Sequence, residues 1–226
     1  LDGILLCAGL WLAVGLTCIA FPRRLPLLRH VLFPLGALTG LALAACAIAA
    51  LLGPAEARVL PVGLPDLPFH VRVDALSAFF LLLLGAAGAG ISIYAAGYLR
   101  PGEGSAPGLH GLLFHLFLAS MTGVLIADDG YAFMVAWEAM ALTSYFLVVS
   151  EHRHAEIRRA GYLYLLLAHI GAVSILLAFG VLAGPQGDYT FTAMRAFDPA
   201  GVWPSIAFLL AVFGFGAKAG LLPLHV

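Results

Sequence analysis

Residues 130–150 read GYAFMVAWEAMALTSYFLVVS, a continuous apolar run with a single charge, Glu138. A helix that crosses a bilayer needs about 20 mostly apolar residues, and this run supplies them. An ionised side chain at the bilayer centre costs about 2.5–3.5 kcal/mol even on the lenient insertion scale. Such a run tolerates an acid only where the acid has a use. Working outward, residues 202–226, VWPSIAFLLAVFGFGAKAGLLPLHV, form a second apolar run with one charge, Lys218. One acid and one base on two membrane helices suggest a path for an ion.

The composition agrees with a chain built for lipid. Hydrophobic residues make up 62% and charged residues 10%, against about 25% charged in soluble domains, and the mean hydropathy is +1.03. A net charge of -1 leaves no basic footprint for nucleic acid. Cys7, Cys18 and Cys46 lie singly in apolar runs with no CxxC pair. That pattern gives neither a zinc or iron–sulfur site nor a disulfide framework, so no cofactor is expected and the cysteines read as small lipid-facing or packing residues. The stretch 1–20 is too long and too evenly apolar for a signal peptide and reads as a first span. With Leu1 in place of a Met and Val226 inside an apolar run, a piece of a longer protein is expected.

Seven spans are predicted, at roughly 3–22, 31–53, 75–98, 109–127, 130–150, 160–183 and 202–226. The second connection is long and Pro-rich, and ends in the alternating stretch Phe69-His70-Val71-Arg72-Val73. Alternation of this kind predicts a short strand or hairpin on the membrane surface. The odd-numbered connections carry Arg23, Arg24, Arg29, Arg100, Arg153, Arg158 and Arg159, the even-numbered ones only Arg58, Arg72 and Arg195. By the positive-inside rule the odd connections face the cytoplasm. The expectation is a multi-pass protein of the cytoplasmic (inner) membrane with its N-terminus outside. Small residues in "LLGAAGAGISIYAAG" and "AVFGFGAKAG" let helix backbones approach closely, so a tight bundle follows.

Glu138 lies too deep for its short side chain to reach headgroups. Helical spacing puts Met134, Ala141, Leu142 and Tyr145 on its face, and Tyr145 offers a hydroxyl there. Its two readings are a proton-binding carboxylate balanced by a nearby cation and a neutral, protonated group bridging helices. Lys218 sits among small residues in GFGAKAG, with Pro223 withholding an N–H from the carbonyl of Ala219. A broken helix beside a charge is tolerated where it lines protein or water, as at transporter sites.

The histidines divide by position. His30, His70, His110, His152 and His154 belong to connections and read as solvated. His115 reads as a packed core histidine. His169 is mid-span with Tyr162 on its face, and an imidazole there suits a proton relay. His225 follows Lys218 by two turns, beyond Pro223, and is the weakest candidate. Asp128 and Asp129 read as an interfacial helix cap rather than as metal ligands.

Three segments carry a family likeness: residues 133–172, FMVAWEAMALTSYFLVVSEHRHAEIRRAGYLYLLLAHIGA; residues 213–226, FGFGAKAGLLPLHV; and residues 71–84, VRVDALSAFFLLLL. Together they resemble the antiporter-like proton-pumping subunits of respiratory complex I (NADH:quinone oxidoreductase). The likeness is greater still to the large membrane subunit of hydrogenase 4 and formate hydrogenlyase complexes. The resemblance implies a glutamate on the fifth helix and a lysine on a broken seventh, here Glu138 and Lys218, forming the ion pair of a proton half-channel. It also implies two inverted five-helix repeats after an N-terminal three-helix segment. On that scheme residues 1–108 are the N-terminal segment with its outer-side hairpin, and 109–226 open the first repeat. The family's eighth-helix histidine, second-repeat lysine and lateral helix fall outside this sequence, which leaves at most a half-channel.

The expectation is an all-α integral membrane bundle of about seven helices, the last broken. Its role would be translocation of protons, or of sodium, as the non-redox translocase subunit of a redox-driven complex. Glu138, Lys218, His169, Tyr145 and His225 would carry the protons, with other membrane subunits and a peripheral redox arm as partners. At an effective dielectric near 20, two charges about 4 Å apart interact by about 4 kcal/mol, enough leverage to switch a buried lysine. Three alternatives stand beside this: a stand-alone cation/proton antiporter, a haem-binding membrane anchor with His115 and His169 as axial ligands, and a scaffold segment that merely anchors an enzyme.

Overall fold

A computed structural model describes residues 1–99 and 106–221. The first helix, α1 (Asp2–Ala20), runs without interruption. A short α2 (Leu25–Leu27), a π-helical turn over Leu28–Leu32 and α3 (Phe33–Leu51) then make one continuous crossing. Pro34 has no N–H to offer the carbonyl of His30, and the turn ahead of it is widened so that the Phe33 N–H bonds to Leu28 O. Strands β1 (Glu56–Leu64) and β2 (Leu67–Val73) form an antiparallel hairpin. There follow α4 (Ala75–Tyr98), α5 (Pro107–Ile126), α6 (Gly130–Val148), α7 (Ala155–Ala183), a single turn and a half α8 (Phe191–Ala196), and α9 (Trp203–Ala219).

Six of the crossings are long and apolar enough to span a bilayer, and α9 is a shorter apolar helix. The fold is that of an all-α membrane protein with one surface hairpin. The first six predicted spans are present, the seventh is described in part as α9, and the hairpin falls where the alternation in residues 69–73 placed it. The expected break at Pro223 and the side chain of His225 lie outside the described residues, as does Arg100. Within them, α9 ends earlier than the proline: Gly220 takes the left-handed conformation (φ 71, ψ 34) and the Leu221 N–H reaches back 3.0 Å to Gly216 O. That is a glycine C-cap of the Schellman type, and it leaves Lys218 in the last turn.

Among the described residues the core falls into three clusters, one of them built on Val14, Cys18, Leu28, Leu32, Phe33 and Leu99, and the other two meet at α5. Ile4, Cys7 and Trp11 of α1 pack with Leu43 of α3, Leu81 of α4, Leu118 of α5 and Val71 and Val73 of the hairpin. The Trp11 indole N–H donates to Gly36 O at 3.1 Å, which locks α1 to α3. Between α3 and α4, a Cβ added to Gly40 would stand 2.7 Å from Gly85 O, so the two glycines set that close crossing. The remaining cluster joins Trp137 and Met140 of α6 to Ala172 and Ile175 of α7, with Phe117, Met121 and Val124 of α5 against it. Helix α5 therefore belongs to both.

The connections sort to two ends. At one, the Leu1 ammonium bonds to Glu56 at 2.8 Å and Arg58 pairs with Asp2. The same end holds the hairpin, the α5–α6 junction and the loop before α8, stitched together by Asp128 N–H to His70 O (2.8 Å), Gly130 N–H to Tyr189 O (2.8 Å) and Phe191 N–H to Asp128 O (3.0 Å). At the other end the Gly108 N–H bonds to Pro22 O at 3.0 Å and Arg29 donates to Leu99 O. N-terminus and even-numbered connections thus share one end, and odd-numbered connections the other.

His70 departs from the solvated loop histidine that was expected. Its backbone N–H donates to Asp129 Oδ2 at 2.6 Å, its ring Nδ1 lies 3.3 Å from the same oxygen, and its side chain is only 27% exposed. Asp129 is fully buried and also accepts from Ala132 N–H at 2.6 Å as the N-cap of α6. The expected cap is there, and it holds the hairpin as well as the helix.

Candidate functional site

Helices α6 and α7 run antiparallel, joined by a short turn, so each residue of one faces a fixed partner on the other. At mid-helix Glu138 Oε2 lies 3.5 Å from His169 Nε2. About six residues further along α6, or about 9 Å at 1.5 Å per residue, Ser144 meets Tyr164 in a short oxygen–oxygen hydrogen bond. Lys218 of α9 completes this second group: its Nζ donates to the Tyr164 hydroxyl at 2.6 Å.

A glycine contact brings α9 within reach. A Cβ on Gly171 of α7 would stand 3.0 Å from Gly214 O, and one on Gly214 would stand 2.6 Å from Gly171 O. Only glycine at both positions permits that approach. One turn beyond Gly214, Lys218 is delivered to Tyr164. Because α9 ends just after it, the unpaired carbonyls of the last turn favour a positive charge there.

The hydrogen bonds fix where protons can sit. His169 Nδ1 lies 2.9 Å from Leu165 O, and a carbonyl only accepts, so Nδ1 carries hydrogen. Nε2 is then the ring nitrogen that faces Glu138 Oε2, at 3.5 Å. In the other group Ser144 Oγ stands 3.2 Å from Ala141 O and donates to it. Its oxygen is then free to accept from the Tyr164 hydroxyl, whose oxygen accepts from Lys218. The donor direction runs one way, from Lys218 through Tyr164 and Ser144 to a backbone carbonyl.

Among the described residues Glu138 and Lys218 make no ion pair within 4.0 Å; each has a separate partner on α7. Nor is Glu138 buried within this chain, for its side chain is 32% exposed and that of His169 48%. Tyr145 lies further along α6, edge-on to Phe146 with ring centroids 5.1 Å apart, and closes on Gly161 of α7. The hydroxyl that this interface uses comes instead from Tyr164. Sequence spacing missed Tyr164 and Ser144; the signal present was two hydroxyls inside otherwise apolar runs.

His115 is remote from this cluster in its contacts. It is fully buried, its Nδ1 donates to Gly111 O at 2.7 Å, and it packs on Phe33, Phe114 and Gly36. Its Nε2 has no hydrogen-bond partner and abuts Gly36 so closely that a Cβ there would collide with it. His115 and His169 share no neighbour, and the contact at Gly36 leaves no room for a ring system, so these residues do not fit a bis-histidine haem.

The fold is that of a multi-helix membrane subunit, with an acid at mid-helix, a lysine in the last turn of a short helix, and hydroxyl and imidazole groups between them. Comparison with known proteins places it more narrowly. Residues 127–226 match the family described as NADH:quinone oxidoreductase/Mrp antiporter, transmembrane, and the relatives of the chain include antiporter-like membrane subunits. It is 39% identical over 155 residues to hydrogenase-4 component B of Escherichia coli K12, an alignment covering 69% of this chain and 23% of that protein. Formate hydrogenlyase subunit 3 of the same organism is 29% identical over 160 residues, covering 70% of this chain and 24% of that one. NADH-quinone oxidoreductase subunit L of Mycobacterium tuberculosis is 28% identical over 169 residues, covering 74% and 26%. The chain thus spans about a quarter of the length of these relatives. In fold it matches a chain of the membrane-bound sulfane sulfur reductase, an archaeal respiratory membrane complex, with a TM-score of 0.81 at 23% identity over 100% of this chain and 35% of that one. A chain of the Mrp complex from Dietzia sp. DQ12-45-1b superposes with a TM-score of 0.74 at 22% identity, over 98% and 41%.

Proposed function

We propose that this chain is part of a proton-translocating subunit of a redox-driven membrane complex. Glu138 and Lys218 are its two charge-bearing stations. The observation that carries the reading is their arrangement on α7: Glu138 on His169 at mid-helix, and Lys218 on Tyr164 nearer the end that holds the odd-numbered connections. A proton entering from that end meets the lysine first and the Glu138–His169 pair deeper in. A change of charge at one station alters the other, because the two lie in one low-dielectric layer between the same helices. A proton is the ion these residues serve directly, since Glu138 and His169 can each give or take one. Sodium would have to displace it.

The end with the odd-numbered connections is assigned to the cytoplasm of an inner membrane, which puts the N-terminus outside. Charge supports this. At the N-terminal end Arg58, Arg72 and Arg195 stand against Asp2, Asp74 and Asp128. Among the described residues, none of Arg23, Arg24, Arg29, Arg153, Arg158 and Arg159 at the opposite end has a carboxylate within 4.0 Å, so that end keeps its positive charge. Residues 1–108 serve as the N-terminal three-helix segment and 109–226 as the opening of the first repeat. The remaining membrane subunits and the redox arm are supplied by partners, as the names of the relatives suggest.

The test uses the full-length subunit in its assembled complex, reconstituted in vesicles with a pH-sensitive dye inside. Glu138→Gln and Lys218→Ala should each lower proton uptake at least about tenfold, which corresponds to ~1.4 kcal/mol of lost coupling, with the complex still assembled. Uptake that persists in both variants refutes the reading. A stand-alone cation/proton antiporter is the second reading, favoured by the Mrp part of the family description; purification free of hydrogenase- or dehydrogenase-type subunits would select it.

A further inference from the structure

The hydroxyl that receives Lys218 belongs to Tyr164, outside the set of residues that the sequence singled out, and its surroundings are built for one task. Lys218 Nζ stands 2.6 Å from the phenol oxygen and 5.0 Å from the ring centroid. The nitrogen therefore lies out beyond the oxygen, not over the ring face, and the contact is a hydrogen bond to oxygen rather than a cation–π contact. The oxygen is kept available as an acceptor because its own hydrogen is taken by Ser144 Oγ, which in turn donates to Ala141 O. A chain of donors that ends in a backbone carbonyl cannot pass a proton through. It can hold an ammonium in place.

We infer that Tyr164 is the positioning residue for Lys218: it holds the ammonium between α6 and α7, parted from Glu138, while His169 holds Glu138. This rests on the reading of Glu138 and Lys218 as the working pair, and it names what keeps them apart. Each charge has two possible partners, and the described arrangement is the parted one. Closing the pair requires Lys218 to exchange the Tyr164 oxygen for a Glu138 oxygen, a neutral acceptor for a charged one. Tyr164 sets the energy of the open position and hence the pH at which the lysine changes charge during turnover. The other ionisable groups on the two packed helices are Glu138, Tyr131 and Tyr145 on α6, and His169 and Tyr162 on α7, with Glu156, Arg158 and Arg159 at the first turn of α7. Of these, Glu138 and His169 are committed to each other. Tyr145 is turned to Phe146 and Gly161.

The experiment compares Tyr164→Phe, Ser144→Ala and Lys218→Ala in the full-length subunit within its complex, measuring proton uptake into vesicles from pH 6 to pH 10. Tyr164→Phe keeps the ring and removes the acceptor, so the alkaline limb of the rate–pH profile should move to lower pH by about one unit. Ser144→Ala leaves the phenol in place but frees its hydrogen, and should move the same limb the same way by less. This variant decides the matter if Tyr164→Phe does not assemble. A residue that only packs would change the amount of complex or the maximal rate and leave the limb where it is. Unmoved limbs in the assembled variants, with Lys218→Ala inactive, overturn the role of Tyr164 and leave the pair standing. Should Lys218→Ala itself pump normally, the reading of the pair fails and the role of Tyr164 falls with it.

Discussion

Lys218 donates to the Tyr164 hydroxyl at 2.6 Å, and Glu138 lies 3.5 Å from His169: the base and the acid of this bundle are held by two different residues of the same helix. Helix α7 thereby acts as the common post of the site, with α6 and α9 packed on it.

The α7–α9 crossing rests on the contact of Gly171 with Gly214. Gly214→Ala would press a methyl group onto Gly171 O and Ile175 Cγ1, each 2.6 Å from the ideal Cβ position. The helices must separate, at a cost of about 1–3 kcal/mol for overpacking, and Lys218 must draw back from Tyr164. Thermal unfolding of the full-length subunit in detergent should register the loss, with proton uptake falling in parallel. Gly180→Ala on α7 is the control. A Cβ there meets nothing within 4 Å, so it should leave stability unchanged or raise it by ~0.5–1 kcal/mol. Equal effects of the two substitutions would show that the crossing does not matter.

Helix identity and count were legible in the sequence because each span carries its own apolar signal, as residues 130–150 do around Glu138. The hairpin was legible too, because alternation in residues 69–73 is a local property. Partners across helices were not. Whether Tyr145 or Tyr164 supplies the hydroxyl depends on the rotation of α7 about its axis, which Gly171 and Gly161 set by contact and which no spacing within α6 encodes. The same holds for His70, whose partner Asp129 lies 59 positions away and is reached through a backbone N–H that any residue but proline would provide. The described end of α9 falls at Gly220, a stop signal that is local in the sequence, while the expected break at Pro223 lies outside the described residues.

Asp129 should be the costliest single residue of the N-terminal end. It is fully buried and receives two backbone N–H groups at 2.6 Å, from His70 and Ala132. Asp129→Ala leaves both donors without a partner, which should cost about 1–3 kcal/mol and raise amide hydrogen exchange at His70 and Ala132 together. Asp128→Ala removes only a 3.8 Å contact with Arg195, and should cost within ~1 kcal/mol. If exchange at His70 stays slow in Asp129→Ala, the hairpin is held by something other than this carboxylate.

Acid should loosen the same end of the bundle. The Ser77 backbone N–H holds the Asp74 carboxyl below its ordinary 3.8, and the Thr190 backbone N–H does the same for Asp188. A carboxyl whose pKa is depressed by folding contributes stability that is complete above the unfolded value and is lost as pH falls through the folded one. Stability should therefore be insensitive to these two groups from pH 7 to pH 5 and decline below about pH 4. Unfolding midpoints measured from pH 7 to pH 3 should show that limb, and Asp74→Asn with Asp188→Asn should flatten it. A limb of unchanged depth in the double variant would assign the acid loss to other carboxyls.

The two deep histidines should separate cleanly. His115 is fully buried with Nε2 unpartnered, and its Nδ1 donates to a carbonyl of its own helix, Gly111 O. Replacing such a group by an apolar one of similar shape removes an unmet polar atom along with one bond, so the two effects nearly cancel. His115→Leu should change stability by less than about 1.5 kcal/mol and leave proton uptake and its pH profile intact. His169→Leu removes the group that stands 3.5 Å from Glu138, on a side chain that is 48% exposed and carries little packing. Stability should hardly move, while proton uptake falls and its pH dependence changes, since Glu138 then has to take and give its proton without an imidazole beside it. If His115→Leu stops uptake at unchanged stability and His169→Leu does not, the working histidine is the one under Gly36 and the path runs between α1, α3 and α5.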